Sequence, residues 1–284
     1  MKNDLNSACL YVVATPIGNI EDISARAIET LKQVVLIAAE DTRHSQRLCQ
    51  HYGINTPMIS LHEHNEESRV AQIAAKLDAN ESIALISDAG TPLISDPGFK
   101  LVRALREQGY KVSPVPGPSA IITALSVAGL PTDSFSFFGF LPAKSSSRKQ
   151  RYLELGNRTE TMVFYESSHR IAASLQDALE TLGNRHAVVA RELTKTFETI
   201  LDAPLIELVD ILEQDHNQSK GEFVLMISGV DKKANNASID SERLLKELLK
   251  ELPPNKASKI VSNFTGISKK EIYQIALDLK ESSL

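Results

Sequence analysis

Polar residues suited to binding a small molecule follow three apolar runs of the chain. These polar stretches are residues 15–18, 40–43 and 87–91. In an open α/β sheet, ligands bind outside the carboxyl ends of the strands, which is where such residues would lie. The Asp88 carboxylate could accept hydrogen bonds from hydroxyl or amino groups, and Gly90 would let the main chain approach a ligand closely. Three strand ends of this kind in one domain predict a lined pocket.

Each stretch also has a purely structural interpretation. Asp88 and Asp96 could cap turns, and Asp96 with Pro97 could start the next helix. We interpret Asp96 in that way and Asp88 as a ligand-binding residue. Residues 40–43 could be a capped helix start with a surface ion pair. The chain has neither a G-x-G-x-x-G sequence after a strand nor a G-x-x-x-x-G-K-[ST] sequence, so a pyrophosphate ligand is not expected.

The segments that would position these residues alternate between short apolar runs and amphipathic helical stretches. Strands are predicted at residues 10–15, 34–39, 57–61, 82–87 and 111–116. Runs that are apolar on both faces predict a largely parallel sheet covered by helices, so the fold class is α/β. A proline-framed turn near residue 117 is taken as the end of this domain.

A second α/β domain and a helical tail are predicted after that turn. The further strands are predicted at residues 134–141, 161–167, 186–193, 197–205 and 221–229. Because 197–205 alternates apolar and polar residues, the second sheet is expected to be mixed. The polar stretch after Gly229 is interpreted as a linker, followed by short helices broken at Pro253-Pro254 and at Gly266. The predicted domains are 1–117, 118–230 and 231–284.

The last helices have the spacing of a helix-turn-helix motif. Such a tail could read nucleic acid, and it could equally be a small helical cap without a partner.

Composition and charge restrict the class of protein. The 284 residues are 42% hydrophobic with a net charge of −5, which fits a soluble globular protein and argues against one that coats nucleic acid over its whole surface. A local basic patch remains compatible with this charge. Cys9 and Cys49 have no paired spacing, which argues against a disulfide scaffold or a cysteine zinc site and fits a cytoplasmic location. No apolar stretch is long enough to span a membrane, so no membrane partner is expected.

A series of ordered sequence blocks between residues 10 and 229 resembles a known enzyme family. The blocks are TPIGNxxDIS, AEDTR, HEHN, SDAGTPLISDPG, VPGPSA, GFLP, YESxHR, ARELTKxxE and GEFVL. They resemble the bacterial methyltransferases that modify a ribose 2′-hydroxyl of a cytidine in small-subunit ribosomal RNA. That family belongs to the tetrapyrrole-methylase-like class of S-adenosylmethionine enzymes. The resemblance implies two α/β domains with S-adenosylmethionine in the cleft between them, a homodimer, and ribosomal RNA or the assembled small ribosomal subunit as partner.

The resemblance also implies cofactor-binding roles for a set of residues. They are Pro16, Asp88, Gly90, Thr91, Ser119, Ala120, Tyr165, Glu166, Ala190, Gly221 and Glu222. In the wider family a strand-end Gly-Asp-Pro reaches the cofactor, and here Ser87-Asp88-Ala89 keeps only the aspartate. Tyr165 could pack an apolar face against the cofactor or simply be a buried tyrosine at a strand end.

The implied chemistry requires little beyond positioning and one base. A sulfonium methyl group is already activated, so transfer depends on placing the 2′-oxygen and removing its proton. Candidate bases are Glu40, Asp41, His62, His64, Glu192 and Lys195, each of which could instead belong to an ion pair or a solvated loop. We predict Glu192 as the base, with Arg43 or Arg191 holding phosphate and Lys195 as a further catalytic residue. His62 and His64 lack a third suitably spaced ligand, so no metal is expected.

A basic segment at residues 144–151 could hold RNA despite the acidic total charge. Its basic residues are Lys144, Arg148, Lys149 and Arg151. They could be solubilising charges at an exposed helix start, but beside the family resemblance we predict that they contact phosphates. Lysines 256, 259, 269 and 270 form a second basic group in the tail.

Two other classes of function remain open from the sequence. One is an S-adenosylmethionine-dependent methyltransferase of the same fold that acts on a tetrapyrrole or a modified protein side chain. The other is a non-catalytic ribosome-binding protein that has kept a cofactor fold.

Overall fold

Five parallel strands form the first sheet, at the places where the apolar runs predict them. The computed structural model describes residues 8–230, 232–265 and 267–281. The strands are β1 (Leu10–Val13), β2 (Leu36–Ala39), β3 (Met58–Ser60), β4 (Ile83–Ile86) and β5 (Val112–Val115). Their order is β3-β2-β4-β1-β5, with every pairing parallel. Because β2, β4 and β1 are neighbours, the polar residues that follow them meet at one edge of the sheet.

Helices cover both faces of this sheet. They are α1 (Ala25–Gln33), α2 (Thr42–His51), α3 (Glu66–Asp78) and α4 (Phe99–Glu107). Successive residues of β1 point to opposite faces, so Tyr11 packs in the cluster with Leu31 of α1, and Leu10 packs in the cluster with Leu101 of α4. Both helical layers therefore have an apolar core of their own, which holds the strand ends in fixed positions.

The second sheet is mixed, as predicted. Its strands are β6 (Phe135–Phe140), β7 (Thr161–Ser167), β8 (His186–Arg191), β9 (Thr199–Pro204) and β10 (Glu222–Ile227), in the order β6-β7-β10-β8-β9. The pair β6–β7 is parallel and the other pairs are antiparallel. Four helices cover it: α5 (Ala120–Val127), α6 (Ser145–Leu155), α7 (Ile171–Leu182) and α8 (Leu205–Gln214).

The helix α5 packs against the second sheet. Its residues Ile121 and Leu125 share a buried cluster with Val163 of β7 and Val188 of β8. The other face of the sheet, with Phe164 among its residues, packs against α6, α7 and α8. The predicted domain boundary at residue 117 falls in the loop between β5 and α5.

The described part of the tail contains three helices, one of which corrects a prediction. They are α9 (Lys232–Glu251), α10 (Pro254–Thr265) and α11 (Lys269–Glu281). The polar stretch interpreted as a linker is thus the start of α9, because residues 232–252 contain no glycine or proline and are rich in residues that favour helices. The predicted break at Pro253-Pro254 is confirmed, and Gly266 lies outside the described residues. Among the described residues, no helix is both long and apolar enough to cross a membrane.

Candidate active site

A cleft of about 460 Å³ lies between the two sheets. The first domain contributes the loops after β1 and β4, and the second contributes the start of α5 and the ends of β6, β7 and β8 together with the start of β10. Its volume falls in the range of roughly 300–1,000 Å³ that holds small molecules in proteins. The pocket predicted from the strand ends is therefore present, although residues of the second domain form much of its wall.

Main-chain hydrogen bonds fix the first-domain wall of the cleft. The Thr15 amide donates to the Gly90 carbonyl at 2.9 Å, and the Gly90 amide donates to the Thr15 carbonyl at 3.0 Å. The Thr91 hydroxyl donates to the Pro118 carbonyl at 3.0 Å, which ties this loop to the segment before α5. Gly90 has a φ of +77°, a conformation that side-chain-bearing residues rarely adopt, so glycine is required at this close approach.

Most of the predicted cofactor-binding residues line the cleft. Those that do are Gly90, Thr91, Ser119, Ala120, Tyr165, Glu166, Ala190, Gly221 and Glu222. Pro16 does not line it, although the next residue, Ile17, does.

Asp88 lies beside the cleft rather than in its wall. Its carboxylate accepts a hydrogen bond from the Asp41 amide at 3.1 Å, and its own amide donates to the Glu40 carboxylate at 3.3 Å. The side chain therefore joins the ends of β2 and β4. This contact gives Asp88 a structural role in the wall behind the cleft.

Glu166 lines the cleft, but its carboxylate is buried and hydrogen-bonded within the protein. It accepts hydrogen bonds from the Ser167 amide (2.8 Å), the Arg170 guanidinium (2.9 Å) and the Ser174 hydroxyl (2.5 Å). The carboxylate thus anchors the start of α7 to the end of β7. A cofactor could contact this residue through its backbone rather than through the carboxylate.

Asp96 is a cleft residue that our interpretation of the sequence missed. We interpreted it as a turn residue at a helix start, but α4 begins at Phe99, and the buried Glu66 carboxylate accepts from the Lys100 and Leu101 amides there. Asp96 therefore does not cap that helix. The one signal in the sequence for a cleft position of Asp96 is that it lies in the same loop as Asp88.

Burial and neighbouring acidic groups raise the pKa values of Asp96, Glu40 and Tyr165 around this loop. Burial, and then the charge of Asp88, raises the pKa of Asp96 above its ordinary value. Burial, together with Asp96 and Asp88, also raises the pKa of Glu40. Burial and the charge of Asp96 raise the pKa of Tyr165 to about 12, so its hydroxyl stays protonated. Asp96 is thus a residue of the cleft wall whose pKa lies above its ordinary value.

Glu192, the predicted base, holds together the turn at the cleft margin. Its carboxylate accepts from the Glu222 amide (2.9 Å) and the Lys195 ammonium (3.1 Å), and Lys195 also bonds to the Glu222 carboxylate (2.7 Å). Partial burial opposes ionisation of Glu192, but these hydrogen bonds outweigh it and lower the pKa. Glu192 has a φ of +49° and neighbouring Thr194 has +65°, so the segment is held in a strained conformation.

The same segment contacts the first domain. The Asn19 amide donates to the Thr194 hydroxyl at 3.0 Å. A Cβ atom on Gly18 would lie 2.6 Å from both the Lys195 side chain and the Thr194 hydroxyl oxygen. This close approach requires glycine at position 18 and joins the loop after β1 to the loop after β8.

The two predicted phosphate-holding arginines lie outside the cleft wall. Arg191 is buried, and its guanidinium donates to the carbonyls of Lys220 (2.6 Å) and Phe197 (3.1 Å). These bonds occupy the Arg191 guanidinium within the protein, so the structure gives no support to the predicted phosphate contact. Arg43 is 89% exposed and pairs with Asp41 at 2.9 Å; hydrogen bonds from Arg43 lower the pKa of Asp41 to about 2. That pair matches the alternative interpretation of a capped helix start with a surface ion pair.

The basic segment at residues 144–151 differs from its prediction as well. Arg148 is 2% exposed and pairs with Asp177 at 2.6 Å, so it is buried inside the domain and the structure gives no support to its predicted RNA contact. Lys149 pairs with Glu180 at 2.5 Å, and Arg151 pairs with Glu154 at 3.2 Å. Lys144 is exposed and has no ion pair with any residue that the structure describes.

His62 and His64 lie exposed near the start of α3. Their ring centres are 6.0 Å apart. Within the described ranges, no three His, Cys, Asp or Glu side chains are grouped so that they could hold a metal ion.

Comparison with known proteins supplies the family context of this cleft. The family described as Tetrapyrrole (Corrin/Porphyrin) Methylases matches residues 9–209, and the family described as RsmI C-terminal HTH domain matches residues 235–280. The chain is 50% identical over 282 residues to ribosomal RNA small subunit methyltransferase I of Pseudomonas aeruginosa, covering 98% of this chain and 100% of that one. The protein of the same name from Escherichia coli O157:H7 is 49% identical over 276 residues, covering 97% and 96%.

A solved structure shows the same fold. Cobalt precorrin-4 methyltransferase, a cobalamin biosynthetic enzyme, superposes with a TM-score of 0.58 at 15% identity, covering 78% of this chain and 94% of that one. At this identity the likeness concerns the fold alone.

Proposed function

The chain belongs to the tetrapyrrole methylase family, and we infer that within this family it transfers a methyl group from S-adenosylmethionine to small-subunit ribosomal RNA. The observation that carries this inference is the identity of about half of all residues, over nearly the whole chain, with proteins named ribosomal RNA small subunit methyltransferase I. The match includes the tail, which the RsmI C-terminal family covers separately.

The cleft has the chemistry that S-adenosylmethionine requires. Ile17, Leu193 and the ring of Tyr165 offer apolar surface for a purine. The Glu222 carboxylate, which also pairs with Lys195, suits the positive charge of an amino acid ammonium. Gly90 and Gly221, with φ values of +77° and +106°, leave main-chain groups open to close approach. When bound, this cofactor supplies an electrophilic methyl group on a sulfonium sulfur.

We assign removal of the acceptor proton to Asp96 in place of Glu192. A general base must be able to reach the reacting hydroxyl and to take its proton. Asp96 lines the cleft, and burial raises the pKa of its carboxyl group. The Glu192 carboxylate is instead saturated by Lys195 and the Glu222 amide, and its pKa is lowered. In this account Glu192 and Lys195 position the turn at Gly221 and Glu222.

The finer features of the reaction follow from the resemblance. We propose the ribose 2′-hydroxyl of a cytidine as the acceptor, a cytoplasmic enzyme, and a homodimer that acts on ribosomal RNA or the assembled small subunit. A tetrapyrrole acceptor has support from the fold alone, since the solved tetrapyrrole methyltransferase is 15% identical.

Blocking the cleft tests the cofactor site. Ala120 is the first residue of α5 and lines the cleft, so the ring of an A120F variant would occupy part of it. We expect the affinity for S-adenosylmethionine, measured by calorimetry, to fall by roughly tenfold or more because the added ring overpacks the wall.

The matched control is I122F on the same helix. Ile122 is exposed and is not among the residues that line the cleft, so this variant should bind as the wild type does. Wild-type affinity in A120F, with the protein folded, would place the cofactor elsewhere.

A further inference from the structure

One face of α10 presents basic, amide and apolar side chains to solvent. Lys256, Lys259, Ile260, Asn263 and Phe264 recur at intervals of three and four residues, so they share one side of the helix, which we call the α10 face. All five are exposed, and Phe264, at 80%, is more exposed than any other large apolar residue that the structure describes. The opposite side of α10 is buried.

The helix bearing this face is firmly held. Ala257 and Val261 of α10 pack with Ile272 and Ala276 of α11 and with Leu245 of α9. At the turn after α10, the Ser262 hydroxyl donates to the Ile267 carbonyl at 2.7 Å. The exposed residues are therefore presented on a packed three-helix unit, and substitutions among them leave its core intact.

The α10 face has no negative charge to balance its lysines. Helix α10 contains no acidic residue, and Lys256 and Lys259 form no ion pair with any described residue. By contrast, Lys149 and Arg151 of α6 are paired with Glu180 and Glu154. The chain as a whole is acidic, with a net charge of −5, so this basic face is a local exception. Its lysines and its exposed aromatic ring suit a ligand that carries both negative charges and flat apolar surfaces.

We propose that the α10 face binds the RNA substrate, with Lys256 and Lys259 contacting phosphates and Phe264 stacking on an unpaired base. Lysine ammonium groups gain affinity for nucleic acid by releasing counterions from phosphates. Unstacked bases of RNA are commonly held against aromatic side chains. This inference rests on the proposed function, because it names the surface through which that substrate is held, and it moves the principal RNA contact from the segment at residues 144–151 to the tail.

The test uses the full-length protein and small ribosomal subunits that lack the methylation, with binding and methyl transfer measured separately. For K256A/K259A we expect weaker binding, with the slope of log affinity against log salt reduced by about 1.4 to 1.8, as two phosphate contacts would give. For F264A we expect an affinity loss of about 5- to 150-fold, the range for one stacked base. Both variants should keep the wild-type affinity for S-adenosylmethionine.

The matched control is K246A/K250A, which removes two exposed lysines from α9 of the same tail. Lys250 is paired with Glu247 at 2.8 Å, so this variant should bind subunits as the wild type does. Equal affinity and equal salt slope in K256A/K259A and in the control would overturn the proposal. A loss on assembled subunits with unchanged affinity for their deproteinised RNA would assign the face to a ribosomal protein and also overturn it.

Failure of the proposed function gives a different result. Wild-type protein that binds subunits without methylating them would refute the activity, while the binding comparison would still decide the role of the α10 face.

Discussion

Replacing Arg148 by alanine should destabilise the second domain without weakening RNA binding. The guanidinium lies between α6 and α7, where it donates to Asp177 at 2.8 Å and to the carbonyls of Pro142 (3.2 Å) and Ala143 (3.3 Å). Asp177 is itself buried and keeps only the Ser145 hydroxyl at 2.9 Å and the Lys149 ammonium at 3.5 Å when the arginine is removed. The variant would therefore leave a poorly compensated buried carboxylate.

The expected loss follows from that geometry. Breaking a buried ion pair by removing one partner costs about 3–5 kcal/mol of unfolding free energy. Because Lys149 can move closer to Asp177, we expect the lower end, about 3 kcal/mol, which corresponds to a fall in Tm of roughly 6 to 12 °C for a protein of this size. Replacing both partners, as R148M/D177L, should recover much of that loss, since apolar residues leave no unpaired charge.

Thermal unfolding and RNA binding at 25 °C together test this reasoning. K144A is the control, because Lys144 is an exposed residue of the same segment without an ion pair among the described residues. Its Tm should stay at the wild-type value. A wild-type Tm for R148A together with weakened RNA binding would refute the buried structural role.

Two further variants test the cleft. D96N should slow methyl transfer by about 10²- to 10⁴-fold while leaving the affinity for S-adenosylmethionine within a few-fold, because an amide cannot accept the proton. Only the ionised carboxylate acts as a base, so the wild-type rate should rise with pH through the pKa of Asp96. Burial, and then the charge of Asp88, raises that pKa above its ordinary value. A wild-type rate in D96N, or a D96N rate that depends on pH as the wild-type rate does, would contradict this. G221A should lower both Tm and cofactor affinity, because its Cβ would lie 2.5 Å from Glu192 and displace that carboxylate from the Glu222 amide. G183A is its control, since Gly183 also has a positive φ, +76°, but its Cβ would meet no atom within 4 Å; equal effects of the two variants would attribute the change to backbone strain alone.

The strands could be predicted because their chemistry is local. The runs of β2 and β4 are apolar on both faces, a pattern typical of a parallel sheet covered by helices. The same argument identified the strand ends and hence one wall of the cleft. The start of α9 cannot be predicted from its polar composition, which is typical of a linker; the absence of glycine and proline from residues 232–252 is what favours a helix there.

The site residues depended on contacts that no local pattern contains. Asp88 and Asp96 occupy similar sequence surroundings, yet only Asp96 lines the cleft, because Asp88 bonds to the end of β2. In the sequence, nothing distinguishes Arg148 from the other basic residues of its segment. The fold places it against Asp177, 29 residues later in the chain. Glu192 looked like a base, but its carboxylate bonds to Glu222, 30 residues away. The sequence shows which side chains are charged, but not which of those charges are neutralised by an ion pair with a residue that is distant along the chain.

The most direct test of the central claim is methyl transfer followed by mapping of the product. Labelled S-adenosylmethionine would be incubated with the full-length protein and small ribosomal subunits that lack the modification, and the labelled nucleotide would then be identified. The account predicts label on the ribose of a single cytidine, and slower labelling by A120F when S-adenosylmethionine is kept below the concentration that saturates the wild type. Measurable cofactor binding without any label in RNA would contradict it.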